Sequence, residues 1–167
     1  LSKGYEKITL CGESAGGGLC YALCLRIKEK QLPMPCGIIA ISPWVDLSNS
    51  GDAYETNMDS DPTLTKELLD RYTRYYTDEP KNPLASPLFG DLSELPPSLI
   101  FAGADELLLS DAQMLKEKLG ATAQLVITPE RWHGYVLYLL EEDREDFVRI
   151  NTFLDVHMAR ADKLGWV

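Results

Sequence analysis

The chain has 167 residues, of which 45% are hydrophobic and 25% charged, a composition that fits one globular domain and excludes a disordered or collagen-like protein. No apolar run approaches the roughly 20 residues of a membrane-spanning helix. The formal net charge of -10 disfavours nucleic-acid and membrane-surface partners, because phosphate groups and anionic lipids would be repelled. Small neutral or cationic ligands remain as partners, and we expect a cytoplasmic protein.

The first quarter of the chain predicts a strand, a helix and a second strand. Residues 7–11 form a short apolar run, and from Leu19 to Ile27 apolar residues recur every four positions, which predicts a helix over 16–30. Residues 37–42 predict a second buried strand. The cysteines lack metal-ligand spacing and are interpreted as buried free thiols: Cys11, Cys20, Cys24 and Cys36.

The segment from Asp46 to Asp91 interrupts this alternation of strands and helices. It is long, polar and punctuated by prolines, and it contains one predicted helix over 66–76 with Thr65 as its N-cap. A connection of this length inside a compact sheet is usually a lid or a binding loop. We therefore expect a cap-like insertion at about 46–91 within a single domain over 1–167.

The second half of the chain predicts two more strands, over 98–103 and 123–128. A helix is expected between them, with Ser110 as its N-cap. A final helix presents an apolar face that consists of Phe147, Ile150, Leu154 and Met158. Strands that are apolar throughout and alternate with helices indicate a parallel sheet covered on both faces. The predicted class is α/β.

Residues 12–16 read Gly-Glu-Ser-Ala-Gly, which matches G-x-S-x-G between a predicted strand and a predicted helix. In this context Ser14 would lie on a sharp turn with its hydroxyl exposed at the end of the sheet. The Ala15 amide, at the start of the helix, would donate to a developing oxyanion. The alternative interpretation is a glycine-rich turn with no catalytic role.

A serine nucleophile needs a base, and the chain has only two histidines. His133 follows the last predicted strand at the carboxyl end of the sheet, where sites form in α/β proteins, whereas His157 lies mid-helix and is interpreted as an exposed surface residue. The base needs an acid that orients it. Asp105 follows a strand directly; Glu106 is the adjacent alternative, and Asp111 is interpreted as a partner of the helix N-terminus.

The order Ser14, Asp105, His133 is the chain order of α/β-hydrolases. Longer strings carry a closer resemblance: GESAGGGL, SPWVDLS, DPTLT, NPLASPLFGDLSELPPSLIFAGADELLLSDA and HGY. With these strings the chain, from about residue 7 to about residue 155, resembles the hormone-sensitive-lipase-like α/β-hydrolases, the bacterial family IV carboxylesterases.

The resemblance implies hydrolysis of short-chain carboxylic esters through a covalent acyl-enzyme, without a metal or cofactor. Ser14 would attack the ester carbonyl, His133 would take and return the proton, and Asp105 would orient the imidazole. The family also carries part of a cap in the segment that corresponds to 46–91.

One departure from the family bears on activity. The family has a His-Gly-Gly-Gly motif upstream of the nucleophile, and this chain has no such string. The resemblance thus implies that the chain corresponds to the C-terminal half of a hydrolase. Two alternatives to an active esterase follow: a catalytically impaired, truncated hydrolase, and a ligand-binding module like the plant hormone receptors of this fold. Strand 7–11 would also have an unpaired edge, which favours self-association.

Overall fold

The computed structural model describes residues 7–163, and at its centre lies a four-stranded sheet in the order β1-β2-β3-β4. The strands are β1 (Thr9–Glu13), β2 (Gly37–Ile41), β3 (Ser98–Gly103) and β4 (Ala123–Thr128). All three pairs of neighbours are parallel. The two central strands are buried along their whole length, which explains their apolar sequences and confirms the predicted α/β class.

Helices cover both faces of this sheet. They are α1 (Ala15–Glu29), α2 (Ala53–Thr56), α3 (Lys66–Tyr76), α4 (Leu109–Leu119) and α5 (Arg144–Lys163). Alternate side chains of each strand point to opposite faces. Ile38 and Ile100 therefore pack with α1 and α4, whereas Ile39 and Phe101 pack with Phe153 of α5. Because all strands are parallel, their carboxyl ends meet at one edge of the sheet.

Four details differ from the sequence expectations. The first strand was expected over 7–11 and lies at Thr9–Glu13, so that it runs up to the Ser14 turn. Ser110 is not the N-cap of α4, since the helix begins one residue earlier and the buried Ser110 hydroxyl has no hydrogen-bond partner. His157 is half-buried, with its ring centroid 4.3 Å from that of Phe153, because it faces a core residue one turn earlier on α5. Of the four free cysteines only Cys20 and Cys24 are buried, whereas Cys11 is exposed on the edge strand.

The insertion 46–91 contains α2 and α3, and the Thr65 hydroxyl accepts a hydrogen bond from the Leu68 amide as expected for an N-cap. It packs onto the rest of the molecule through a separate apolar cluster that consists of Trp44, Leu47, Tyr54, Leu69, Leu107 and Leu108. The insertion is thus held against the carboxyl edge of the sheet. Within residues 7–163, no helix combines the length and the apolar character needed to cross a membrane.

Candidate active site

Ser14 lies in the turn between β1 and α1 with φ 54° and ψ -123°, a conformation that costs a non-glycine residue about 1–3 kcal/mol. Its backbone is held by three hydrogen bonds: its amide donates to the Ile41 carbonyl, and its carbonyl accepts from the amides of Gly18 and Trp44. A Cβ atom at Gly12 would lie 2.2 Å from the Gly16 carbonyl oxygen. Glycine is therefore needed at position 12 for so tight a strand-to-helix turn, whereas a Cβ atom at Gly16 would meet nothing within 4 Å.

The start of α1 provides backbone donors next to Ser14. The first four amides of a helix have no partner within it, and the aligned peptide dipoles make this end electropositive. Ala15 is the first residue of α1, and no acidic side chain lies in the first turn. The Ala15 amide is therefore available to an oxyanion that develops on a group bound to Ser14.

His133 lies in the loop after β4 with its imidazole 10% exposed. Its Nε2 atom is 3.2 Å from Glu13 Oε1, so that the ring contacts the residue directly before Ser14. No hydrogen bond joins Nε2 to the Ser14 hydroxyl in the described part of the chain. The other ring nitrogen, Nδ1, is buried and has no hydrogen-bond partner within residues 7–163.

The loop that carries His133 is fixed on both sides. The Arg131 Nε atom lies 2.9 Å from each carboxylate oxygen of the buried Asp143, and the Tyr135 hydroxyl donates to Asp146. Gly134 has φ 71°, the left-handed region that favours glycine, and its amide donates to the Ser42 hydroxyl at 2.9 Å. The hydrogen bonds of these neighbouring residues thus fix the backbone position of His133.

Glu106 is a buried acidic side chain that interacts electrostatically with His133. It is completely buried, and its Oε2 atom accepts hydrogen bonds from the Ser42 hydroxyl (2.6 Å) and the Gly103 amide (3.1 Å). Burial raises the pKa of Glu106 to about 7, whereas the Ser42 hydrogen bond and the positive charge of protonated His133 act in the opposite direction. Its second oxygen, Oε1, is buried without a hydrogen-bond partner in the described residues.

Glu106 Oε1 and His133 Nδ1 therefore form a complementary pair of unsatisfied buried atoms. Buried polar atoms without partners are rare and call for an explanation. Their residues interact electrostatically, and both are tied to the Ser42 hydroxyl, which donates to Glu106 and accepts from Gly134. A hydrogen bond between Glu106 Oε1 and His133 Nδ1 would satisfy both atoms, and catalytic hydrogen bonds are often long before substrate binds.

Asp105 was expected to orient His133, but the two side chains are not in contact among the described residues. The Asp105 backbone pairs with Arg131 and Ser60, and within residues 7–163 no hydrogen bond or ion pair joins its carboxylate to His133. Successive residues after a strand point in different directions, and here the second acidic residue, not the first, is directed into the core. Sequence reasoning named Glu106 only as the alternative, because the direction of each side chain depends on the loop backbone.

Asp111 lies in the first turn of α4, as expected for an acid beside a helix N-terminus, and it also has a second role. It is completely buried, and its carboxylate accepts hydrogen bonds from the amides of Val45 and Asp46 and from the Tyr54 hydroxyl. It therefore anchors the beginning of the insertion to α4.

The sequence analysis did not identify Ser42, the first residue after β2, as part of the site. Its hydroxyl joins Glu106 to the loop that carries His133. Among the described residues, no cluster of three or more His, Cys, Asp or Glu side chains is arranged to hold a metal ion.

Comparison with known proteins gives consistent matches. The profile of a family described as alpha/beta hydrolase fold matches residues 1–137. An acetyl-hydrolase from Streptomyces hygroscopicus is 35% identical over 155 residues, which are 89% of this chain and 52% of that protein. An esterase from Acinetobacter venetianus is 40% identical over 116 residues, 68% of this chain and 38% of its own length. The chain thus spans about half, or less, of the length of these curated relatives.

Solved structures give the same result. A crystal structure of an esterase from the bacterial hormone-sensitive lipase family superimposes with a TM-score of 0.88 at 34% identity, and the match covers 93% of this chain and 56% of that one. A second, a hormone-sensitive lipase from a metagenome library, gives a TM-score of 0.87 at 35% identity over 93% of this chain and 55% of its own. The arrangement of β1 to β4 and the helices around them is therefore shared with these esterases.

Proposed function

Because this chain belongs to the α/β-hydrolase fold family, with the hormone-sensitive-lipase-like resemblance that its motifs predicted, we propose that it hydrolyses carboxylic esters with Ser14 as the nucleophile. The observation that carries the proposal is the Ser14 turn: a strained serine at the carboxyl edge of the sheet, at the start of a helix. The residue directly before it, Glu13, contacts His133, whose imidazole is 10% exposed. Short-chain, uncharged esters are the proposed substrates, and the proposed location is cytoplasmic.

The proposed mechanism proceeds through an acyl-enzyme. Ser14 Oγ attacks the ester carbonyl while His133 Nε2 takes its proton, after Nε2 has moved from Glu13 to the serine. The Ala15 amide stabilises the oxyanion of the tetrahedral intermediate. His133 then gives the proton to the alcohol oxygen as that bond breaks, and a water activated in the same way releases the acid and restores Ser14.

We propose Glu106, in place of Asp105, as the acid that orients His133. The unpartnered Glu106 Oε1 and His133 Nδ1 atoms, the complete burial of Glu106 and its electrostatic coupling to the imidazole support this role. The carboxylate would accept the Nδ1 proton, keep the tautomer that leaves Nε2 free as a base, and stabilise the imidazolium. Its pKa of about 7, raised by burial, means that this form of the site is populated above neutral pH.

The test of the nucleophile is covalent labelling. A fluorophosphonate probe is expected to label wild-type protein at Ser14, as identified by peptide mass spectrometry, and Ser14→Ala is expected to abolish both labelling and hydrolysis of p-nitrophenyl acetate. His133→Ala should suppress both, and His157→Ala serves as the matched control because it changes the other histidine. Unchanged hydrolysis in Ser14→Ala, or equal effects of the two histidine variants, would refute the assignment.

A ligand-binding module of the same fold is the alternative that this experiment separates. Such a module would bind an ester without turnover, and Ser14 would react with the probe no faster than other serines. Equal labelling of native and urea-unfolded protein would favour it over the enzyme.

We also propose that β1 pairs with a second copy of the chain. Among the described residues β1 has one neighbour, β2, and an open strand edge is a template for pairing. Sedimentation velocity across a range of concentrations should show a dimer, and a monomer at every concentration would contradict this proposal.

A further inference from the structure

Two carboxylates from different elements interact with His133. Its Nε2 atom is 3.2 Å from Oε1 of Glu13, the last residue of β1. Its other nitrogen, Nδ1, and the Oε1 atom of Glu106 are both buried without a hydrogen-bond partner within residues 7–163. A neutral imidazole has one N–H group, and an ionised carboxylate can only accept. Glu13 at Nε2 and Glu106 at Nδ1 therefore favour different tautomers of the same ring.

The contact between Glu13 and His133 is fixed by the backbone on both sides. Glu13 pairs with Ile41 of β2, so the sheet sets its position. On the histidine side, a Cβ atom at Gly134 would lie 3.2 Å from Glu13 Oε1, and a larger residue there would push the carboxylate away. The glycine after His133 thus leaves the space that the Glu13 carboxylate occupies.

This contact and the proposed catalytic role of His133 exclude one another. A hydrogen bond to the Glu13 carboxylate requires a proton on Nε2, whereas Nε2 must be unprotonated to take the proton of Ser14. The resting site then holds two protons, one on Nε2 and one shared by Nδ1 and Glu106, whose pKa burial raises to about 7. The reactive site holds only the proton on Nδ1. One proton must therefore leave before Ser14 can react.

The other charged side chains on the elements around His133 are Asp61, Asp105, Glu106, Arg131, Asp143 and Asp146. Arg131 and Asp143 pair with each other, and Asp61 and Asp146 accept hydrogen bonds from an amide and a hydroxyl. Among the described residues, Glu13 is the charged group in contact with Nε2. Its negative charge opposes the loss of the Nε2 proton. Since its side chain is 36% exposed, solvent screens part of this effect.

We propose that Glu13 is a positioning residue that holds the Nε2–H group of His133 away from Ser14 in the resting site, so that the base becomes free only when the site has released one proton. The inference rests on the proposed esterase function and adds a residue that sets the pH range in which the enzyme works. Removal of the Glu13 charge should make the proton leave at lower pH, because the charge that retains it is gone.

The kinetic test is the pH profile of kcat/KM for p-nitrophenyl acetate from pH 5 to pH 8.5. Glu13→Gln keeps the size of the side chain and removes its charge, and it should move the acidic limb of the profile to lower pH. One pH unit below the wild-type midpoint, the variant should reach a fraction of its own plateau that is about fivefold higher than in wild type. The plateau itself should stay within about threefold of the wild-type value.

Glu130→Gln is the matched control for the charge. Glu130 is exposed and lies three residues before His133 in the same loop, so its removal changes the net charge equally without touching the ring. Its profile should superimpose on that of the wild type. An unmoved midpoint in Glu13→Gln, equal shifts in the two variants, or a uniform loss of activity at every pH would each overturn the proposal.

A spectroscopic measurement separates this inference from the proposed function. The chain has only two histidines, so the ring nitrogens of His133 can be assigned in protein with 15N-labelled histidine by comparison with His157→Gln. Below the kinetic midpoint Nε2 should carry a proton, and Glu13→Gln should lose this proton at lower pH than wild type. Such a difference in a chain that hydrolyses no ester would refute the esterase and retain the role of Glu13 at the ring. Hydrolysis through Ser14 with identical titrations of the two proteins would refute the role of Glu13 and leave the esterase intact.

Discussion

Two buried carboxylates, five residues apart in the sequence, follow β3: Glu106 lies in the loop before α4, and Asp111 lies in the first turn of α4. Glu106 and Asp111 are both completely buried, and burial raises the pKa of each to about 7. Their hydrogen bonds differ. Both oxygens of Asp111 are paired, with two backbone amides and the Tyr54 hydroxyl. Glu106 pairs through Oε2 alone, and its Oε1 atom has no hydrogen-bond donor within residues 7–163.

This difference in hydrogen bonding is what supports a structural role for Asp111 and the proposed catalytic role for Glu106. The three donors offset part of the desolvation of the Asp111 carboxylate, while burial still raises its pKa to about 7. A buried carboxylate with one free oxygen beside a histidine with one free nitrogen is costly for the fold, and such costs concentrate at functional sites. Burial and pKa alone do not distinguish Glu106 from Asp111; the completeness of their hydrogen bonds does.

The largest expected effect tests the functional side of this comparison. Glu106→Gln should lower kcat for p-nitrophenyl acetate by about 10³- to 10⁴-fold, because an amide cannot enforce the tautomer of His133 that acts as a base. Asp105→Asn, the change at the adjacent carboxylate, should alter kcat by less than about tenfold. A larger loss in Asp105→Asn than in Glu106→Gln would return the role of the acid to Asp105.

The structural side is tested by Asp111→Ala. Three buried donors, the amides of Val45 and Asp46 and the Tyr54 hydroxyl, would lose their acceptor at about 1–3 kcal/mol each. Urea denaturation should therefore show a loss of about 3–5 kcal/mol, or unfolding at room temperature. Tyr54→Phe removes one donor only and should cost about 1 kcal/mol. A change of less than 1 kcal/mol in Asp111→Ala would show that the insertion is anchored elsewhere.

A third prediction tests the raised pKa of Glu106 through the pH dependence of protein stability. Between its ordinary pKa of 4.5 and the raised pKa of about 7, the folded chain holds a proton that the unfolded chain has released, so stability falls as the pH rises through this window. The contribution is up to about 3 kcal/mol. The free energy of unfolding, measured from pH 4 to pH 8, should decline less steeply in Glu106→Gln than in wild type. Parallel pH dependences of the two proteins would contradict the raised pKa of Glu106.

The smallest expected effect concerns the hydroxyl that joins the acid to the histidine loop. Ser42→Ala removes the donor to Glu106 and the acceptor of the Gly134 amide, and kcat should fall by about tenfold with about 1–2 kcal/mol of stability lost. Ser98→Ala is the control, since that buried hydroxyl binds the Pro96 carbonyl at the opposite end of β3. If both variants lowered kcat equally, the link through Ser42 would have no specific role.

Local patterns predicted most of the fold. The strands over 98–103 and 123–128 have the expected bounds, and α3 has both its expected bounds and its Thr65 cap. Apolar runs bounded by glycine and proline are local signals, which is why they could be read directly. The start of α4 was misjudged, because Ser110 resembles an N-cap in sequence but lies in the helix and is buried against other elements.

The sequence by itself determined the α/β class, the Ser14 turn and His133 as the histidine at the carboxyl edge of the sheet, because each depends on residues adjacent along the chain. Only the tertiary structure buried Glu106 while leaving Asp105 without a contact to His133 among the described residues, placed Asp111 at the anchor of the insertion and brought Glu13 against His133. These outcomes depend on the direction of single side chains and on contacts between segments more than 60 residues apart, and no periodicity along the chain encodes them.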